Sequence, residues 1–239
     1  MNKPILVAAV LFLSSFIVAC ERNEVADQTA KKLRTLQDGA LVSLANPTMR
    51  FKPDDAFDYA GSVSLTIKGA ALAERHHWVV ADEGRVKKLI IVQFEGFLDD
   101  ADGQYNIALP SANLSGANYK FSPERIELGD KSFVHNTWAF DNAASARDNP
   151  GLEAAATLNI LTDKGNAIDG ELIMSRFGTA LGDDRRHELI IFYMEPVADH
   201  GWTLADFPDG GPLTEKYELF SDSLTKRSLD SFDITFQSQ

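Results

Sequence analysis

The chain has 239 residues, of which 44% are hydrophobic and 24% charged, enough apolar content for a packed core in one domain or two. Its formal net charge is -12, and without the first 19 residues, which hold one Lys and no acid, it becomes -13. A surface this acidic repels phosphate backbones and anionic head groups, which argues against nucleic-acid binding and against membrane attachment through a basic patch. The only cysteine is Cys20, so an intrachain disulfide is excluded and the fold must hold by packing.

Met1-Asn2-Lys3 is a short positive segment, and the run from Ile5 to Val18 is apolar or small, broken only by Ser14 and Ser15. This is the pattern of a secretory signal peptide over residues 1–19. The uncharged stretch Pro4 to Ala19 is shorter than the roughly 20 residues a spanning helix needs, and Glu21, Arg22 and Glu24 follow at once. Ile17-Val18-Ala19-Cys20 resembles the lipobox of bacterial lipoproteins. The resemblance implies cleavage before Cys20, lipid on its sulfur and acylation of its freed amine. Two or more chains anchor stably where one does so marginally. Glu21 stands where an Asp retains enteric lipoproteins in the inner membrane, which implies the outer membrane, facing the periplasm.

Residues 20–48 are expected to be the lipidated N-terminus and a polar tether. Ala30, Leu33, Leu36 and Ala40 fall near one helical face, a pattern that Gly39 weakens. The folded domain is expected over 49–239. Val63, Leu65 and Ile67 alternate with polar neighbours, as in a strand with one wet face. Trp78-Val79-Val80 predicts a second strand, with a turn at Asp82-Glu83-Gly84. Leu89 to Val92 runs apolar without alternation to Phe94 and Phe97, which predicts a strand covered on both faces. Asp99 to Gly103 reads as a loop. Tyr119-Lys120-Phe121, Ile126 with Leu128, and Phe133 to Phe140 read as short strands, and Asn142 to Asn149 as a polar loop.

Asn149-Pro150 predicts a helix start and Gly165 its end, with Leu152, Ala155, Ala156 and Leu161 on the apolar side. Leu172-Ile173-Met174 and Leu189 to Phe192 read as strands. A turn at Pro208 to Pro212 precedes a helix bearing Leu213, Tyr217, Phe220 and Leu224, and Phe232, Ile234 and Phe236 alternate in a last strand. About eight strands joined mostly by short turns predict an α+β fold, a mainly antiparallel sheet covered by two main helices. Arg85 to Glu95 and Arg185 to Glu195 share Arg, Leu, Ile, Ile and Glu. Either a duplicated half-domain or two central strands of similar composition explains this, and the second reading is preferred because short apolar runs recur easily. The segments LIIVQFEGFL (89–98), FVHNTW (133–138), ELIIFYME (188–195) and Trp202 to Asp206 resemble ones that occur together in uncharacterised bacterial proteins. That resemblance implies no activity.

Chemistry-bearing motifs are sparse. His76 and His77 point to opposite faces of any strand, and His135, His187 and His200 are isolated, so no metal-ligand spacing stands out. Asp99-Asp100-Ala101-Asp102-Gly103 imitates a calcium loop, but the first and last ligand positions fall on Leu98 and Leu109, so a solvated acidic turn is expected. There is no G-x-S-x-G elbow, no nucleotide-binding glycine pattern, and Ser115-Gly116 lacks diagnostic neighbours. Glu95 and Glu195 are the one carboxylate pair to examine. The plainer reading pairs them with Arg85 and Arg185 at the ends of buried strands. Trp78, Trp138 and Trp202 suit the core better than a ligand surface. No catalytic, metal or cofactor residues are assigned, and lipid attachment at Cys20 is the one site expected. The expected role is a non-enzymatic module for a small apolar ligand or an envelope protein partner; the alternative is a hydrolase using carboxylates or His135. A deep apolar pocket favours the first, and polar side chains converging in one cleft favour the second.

Overall fold

A computed structural model of the chain describes residues 33–106, 108–109, 119–168, 170–206 and 215–237. Cys20, Ser115-Gly116 and the turn expected at Pro208 to Pro212 lie outside the described residues. Among the described residues, eleven strands form two antiparallel sheets. The larger has the order β4 (Asp58–Ile67), β5 (Ala71–Asp82), β6 (Arg85–Phe97), β10 (His187–Pro196), β9 (Glu171–Leu181), β8 (Lys131–Asp141), β7 (Tyr119–Leu128). The smaller has the order β1 (Arg34–Gln37), β2 (Ala40–Leu44), β3 (Thr48–Pro53), β11 (Phe232–Phe236). Among the described residues, three α-helices join the sheets: α1 (Asn142–Asp148), α2 (Glu153–Asp163) and α3 (Glu215–Leu229).

The α+β class holds, with more strands than the eight expected. Residues 34–44, expected to belong to the tether, are instead two strands of the small sheet, and Leu41 is fully buried. Their turn explains why. Asp38 and Gly39 both take positive φ, 50° and 71°, the twist a two-residue hairpin requires. Lys68-Gly69 and Glu83-Gly84 repeat the device between β4 and β5 and between β5 and β6. The polar segment from Asn142, expected to be a loop, is helix α1. Its cap is Asp141, whose Oδ1 accepts from the Ala144 N–H at 2.8 Å. Helix α2 starts at Glu153 rather than beside Pro150, and Gly165 with φ of 76° follows its end as expected.

The continuous apolar run of β6 is buried on both faces because two cores flank the large sheet. On the inner face, Trp78, Ile90, Val92, Phe94, Ile191 and Tyr193 meet Leu41, Met49, Phe51 and Phe232 of the small sheet and Leu224 of α3. Phe51 lies 5.6 Å from the Trp78 ring and 5.0 Å from that of Phe232. On the outer face, Val79, Leu89, Ile91, Leu172 and Met194 pack with Leu161 and Ile160 of α2. Each large aliphatic side chain so buried is worth about 1.5–3 kcal/mol. The small sheet therefore does much of the covering that the sequence reading gave to helices.

The two similar segments turn out to be the central neighbours β6 and β10, paired antiparallel with Ile91 opposite Phe192 and Val92 opposite Ile191. Both run through the middle of the sheet, which accounts for their shared apolar residues.

Candidate functional site

Strand alternation decides where the candidate residues go. Glu74, His76 and Trp78 of β5 point to the inner face, and Arg75 and His77 to the outer. His76 joins a chain of polar contacts: its Nδ1 lies 3.0 Å from the Tyr59 hydroxyl and its Nε2 2.9 Å from Glu74 Oε1. Arg34 of β1 completes the chain, donating from Nη1 to Glu74 Oε2 at 2.7 Å and from Nη2 to the carbonyls of Ala45 and Asn46. The Arg34 guanidinium also lies 3.8 Å over the Phe94 ring. Burial would raise the Glu74 carboxyl, but the bonds from His76 and Arg34 outweigh it and hold it below the usual carboxylate range.

Beside this chain opens a pocket of about 390 Å³, where β1 crosses the ends of β5, β6 and β10. Leu33, Leu72, Phe94, Phe97 and Leu98 supply apolar wall, and Arg34, Glu74, Asp99, Asn46 and His187 supply polar groups; Glu95 borders it from a ladder position on the other face of the sheet. The volume lies within the range of small-molecule sites. His187 lies across the β6 backbone at Gly96, its partner in the ladder. A Cβ on Gly96 would sit 2.6 Å from His187 Nδ1, so glycine is what lets the imidazole take this place. Glu95 is held by Gln93 Nε2 at 2.7 Å and the Tyr105 hydroxyl at 2.9 Å. The turn at Asp99 to Asp102 is exposed, as expected for a solvated acidic loop, and Asp99 forms part of the pocket rim.

Glu95 and Glu195 are not brought together. The β6–β10 register puts them on opposite faces at opposite ends of the strands, with Glu188 opposite Glu95. Nor do they pair as expected: Arg85 meets Asp199 at 3.1 Å, and Arg185 donates to Gln104 at 2.7 Å. Glu195 is instead gripped by a residue far along the chain. Arg227 of α3 donates from Nε to Oε1 at 2.9 Å and from Nη2 to Oε2 at 2.7 Å. His200 Nε2 lies 2.7 Å from Oε2, and the Tyr193 hydroxyl also donates to this carboxylate. Burial alone would raise Glu195, but the bonds from His200, Arg227 and Tyr193 dominate and hold it at about 2. Every lone-pair direction is used, and the side chain is 5% exposed, so this carboxylate is a structural clamp on α3.

His135 enters a third polar group beneath α3. Its Nε2 lies 2.7 Å from Ser175 Oγ, which accepts from Ser228 Oγ at 3.2 Å, and Thr137 meets Ser221 at 2.7 Å. Glu124 Oε1 is 3.2 Å from His135 Nδ1, yet off the line of a hydrogen bond. Spacing alone imitates a serine–histidine–acid set. His135 and Ser175 are both fully buried, however, and neither lines the pocket. Burial lowers His135 to about 4, so the ring is neutral at pH 7. His77, on the outer face with Thr157 and the Gly61 carbonyl, is lowered by burial to about 3.

Trp78 is in the core as expected, and Trp138 and Trp202 are partly buried against it. Sequence reading missed Arg34, Glu74 and Tyr59 altogether. The Asp38-Gly39 hairpin signal was the one clue that β1 returns to the fold. Comparison with known families, curated proteins and solved structures gave no match to this chain.

Proposed function

We propose that the protein is an envelope lipoprotein, anchored through lipid on Cys20 in the outer membrane and facing the periplasm. In this reading its folded part is a non-enzymatic module that holds a small ligand with an apolar body. The supporting observation is the 390 Å³ pocket, whose leucine and phenylalanine walls stand beside the polar groups of Arg34, Glu74, Asp99, Asn46 and His187. A second consideration weighs against chemistry. Of the two sets that resemble catalytic groups, Glu195 is saturated by fixed partners and His135 is sealed in the core.

Native mass spectrometry of the mature chain tests the ligand. The expected result is a noncovalent adduct on the wild type that is lost in Leu72→Trp, whose indole fills the pocket. A wild type that carries no adduct and takes up none of a panel of apolar compounds overturns the reading. The anchor is tested separately: Cys20→Ser should abolish incorporation of radioactive palmitate, and normal labelling of that variant refutes it.

A further inference from the structure

We propose, resting on the binding reading above, that the pocket seats one acyl chain of a membrane lipid whose head group carries an amine. The wall residues Leu33, Leu72, Phe94, Phe97 and Leu98 ask nothing of a ligand but apolar surface. An acyl chain meets that demand, gaining about 0.8 kcal/mol for each methylene taken from water. If a methylene needs about the room of one water, ~30 Å³, the cavity holds on the order of a dozen carbons.

The rim selects the head group. Two carboxylates, Glu74 and Asp99, stand against the single guanidinium of Arg34, and Glu74 already takes that charge at 2.7 Å, which leaves Asp99 unmatched. Asp99 is exposed, and no cation among the described residues forms an ion pair with it. Such a rim favours a head group whose phosphodiester is balanced by an ammonium over one that is net anionic.

Chain length supplies the source. Leu33 of the pocket wall is thirteen residues from Cys20. Thirteen residues span at most about 45 Å, so a lipid on Cys20 holds the pocket within that reach of a bilayer. Acyl chains are the apolar molecules most concentrated there. Leu33 is 39% exposed, and Leu44, which follows Ser43, the ladder partner of Arg34, is 62% exposed. Together they offer an apolar approach beside the opening.

The test uses the full lipidated chain reconstituted in vesicles of phosphatidylethanolamine and phosphatidylglycerol. In parallel samples one lipid or the other carries a diazirine at mid-chain. Illumination should cross-link phosphatidylethanolamine to peptides containing Phe94, Phe97 and Leu98, with the phosphatidylglycerol probe lower by about threefold or more. Leu98→Asp, which puts a charge against the chain at a half-exposed position, should cut labelling by about tenfold. Leu72→Trp should do the same with an unchanged melting temperature. Absence of cross-links in the wall, or equal labelling by both lipids, overturns the inference. A native mass spectrum showing a different apolar adduct, with no wall cross-links, sinks the lipid while leaving the binding reading intact. No adduct and no cross-links sink both.

Discussion

Glu74 and Glu195 lie at opposite ends of the inner face of the same sheet, and each is held by an arginine and a histidine with a tyrosine nearby. The sets differ in how completely they close. Glu195 receives both arms of Arg227, together with His200 and the Tyr193 hydroxyl. Glu74 receives one arm of Arg34 and His76, and Tyr59 reaches it only through the histidine. The first binds β10, the turn at Val197–His200 and α3 into one unit. The second ties β1 to β5 at the lip of a pocket. The same residue types thus make a lock where the carboxylate is saturated and a rim where it is not.

Breaking the lock should have the largest effect. Arg227→Ala leaves a buried carboxylate short of its cation and should cost about 3 kcal/mol in denaturant unfolding, toward the low end for buried pairs because Arg227 is 31% exposed. Arg34→Ala should cost less, ~2 kcal/mol, because Glu74 keeps its bond from His76, and it should change ligand binding more than Arg227→Ala does. If the two arginines proved equal in stability and in binding, the contrast between lock and rim would fail.

Acid should distinguish the buried histidine from the locked carboxylate. His135 has a folded pKa of about 4, so between pH ~6.5 and 4 the unfolded chain binds a proton that the folded chain does not. Stability must fall over that window. His135→Gln should flatten that part of the profile. Glu195, depressed to about 2, contributes stability that is fully present above pH ~4.3 and lost as pH falls toward 2. Its loss should persist in His135→Gln and shrink in Arg227→Ala, where the bonds from His200 and Tyr193 remain. The smallest effect is expected at the rim. Gly96→Ala should change stability by about 1 kcal/mol or less, because the half-buried His187 ring can swing away, yet it should alter ligand affinity. His187→Ala in the same chain should restore that affinity.

The parts of the fold that could be read from sequence are those that bury continuous or alternating apolar residues. Leu89 to Phe97, Leu189 to Phe192 and Phe232 to Phe236 declared their strands because burial dictates their residue types. The β1–β2 hairpin was hidden by its short, half-exposed strands, although Asp38-Gly39 carries hairpin turn chemistry. Helix α1 was hidden by its polar surface, although Asp141 is an ordinary cap. The pocket could not be read at all. Arg34, Leu72, Phe97 and His187 come from four strands spread over some 150 positions, and only the register brings them together. The clamp on Glu195 was missed for the same reason, since nothing in local spacing relates it to Arg227.

The order of the large sheet also constrains how the chain can fold. The strands β4, β5 and β6 form a meander of tight hairpins, and β7 pairs with β8 across another short turn. The seam between β6 and β10 joins Ile91 to Phe192, roughly a hundred residues apart. Closing a loop that long is entropically slow, so local hairpins should assemble early and the central seam should zip late. Until then β6 and β10 would each present an apolar edge, and the two edges share the run Leu-Ile-Ile. The similarity that invites a reading of duplication is therefore also a hazard for mispairing between two chains before either is complete.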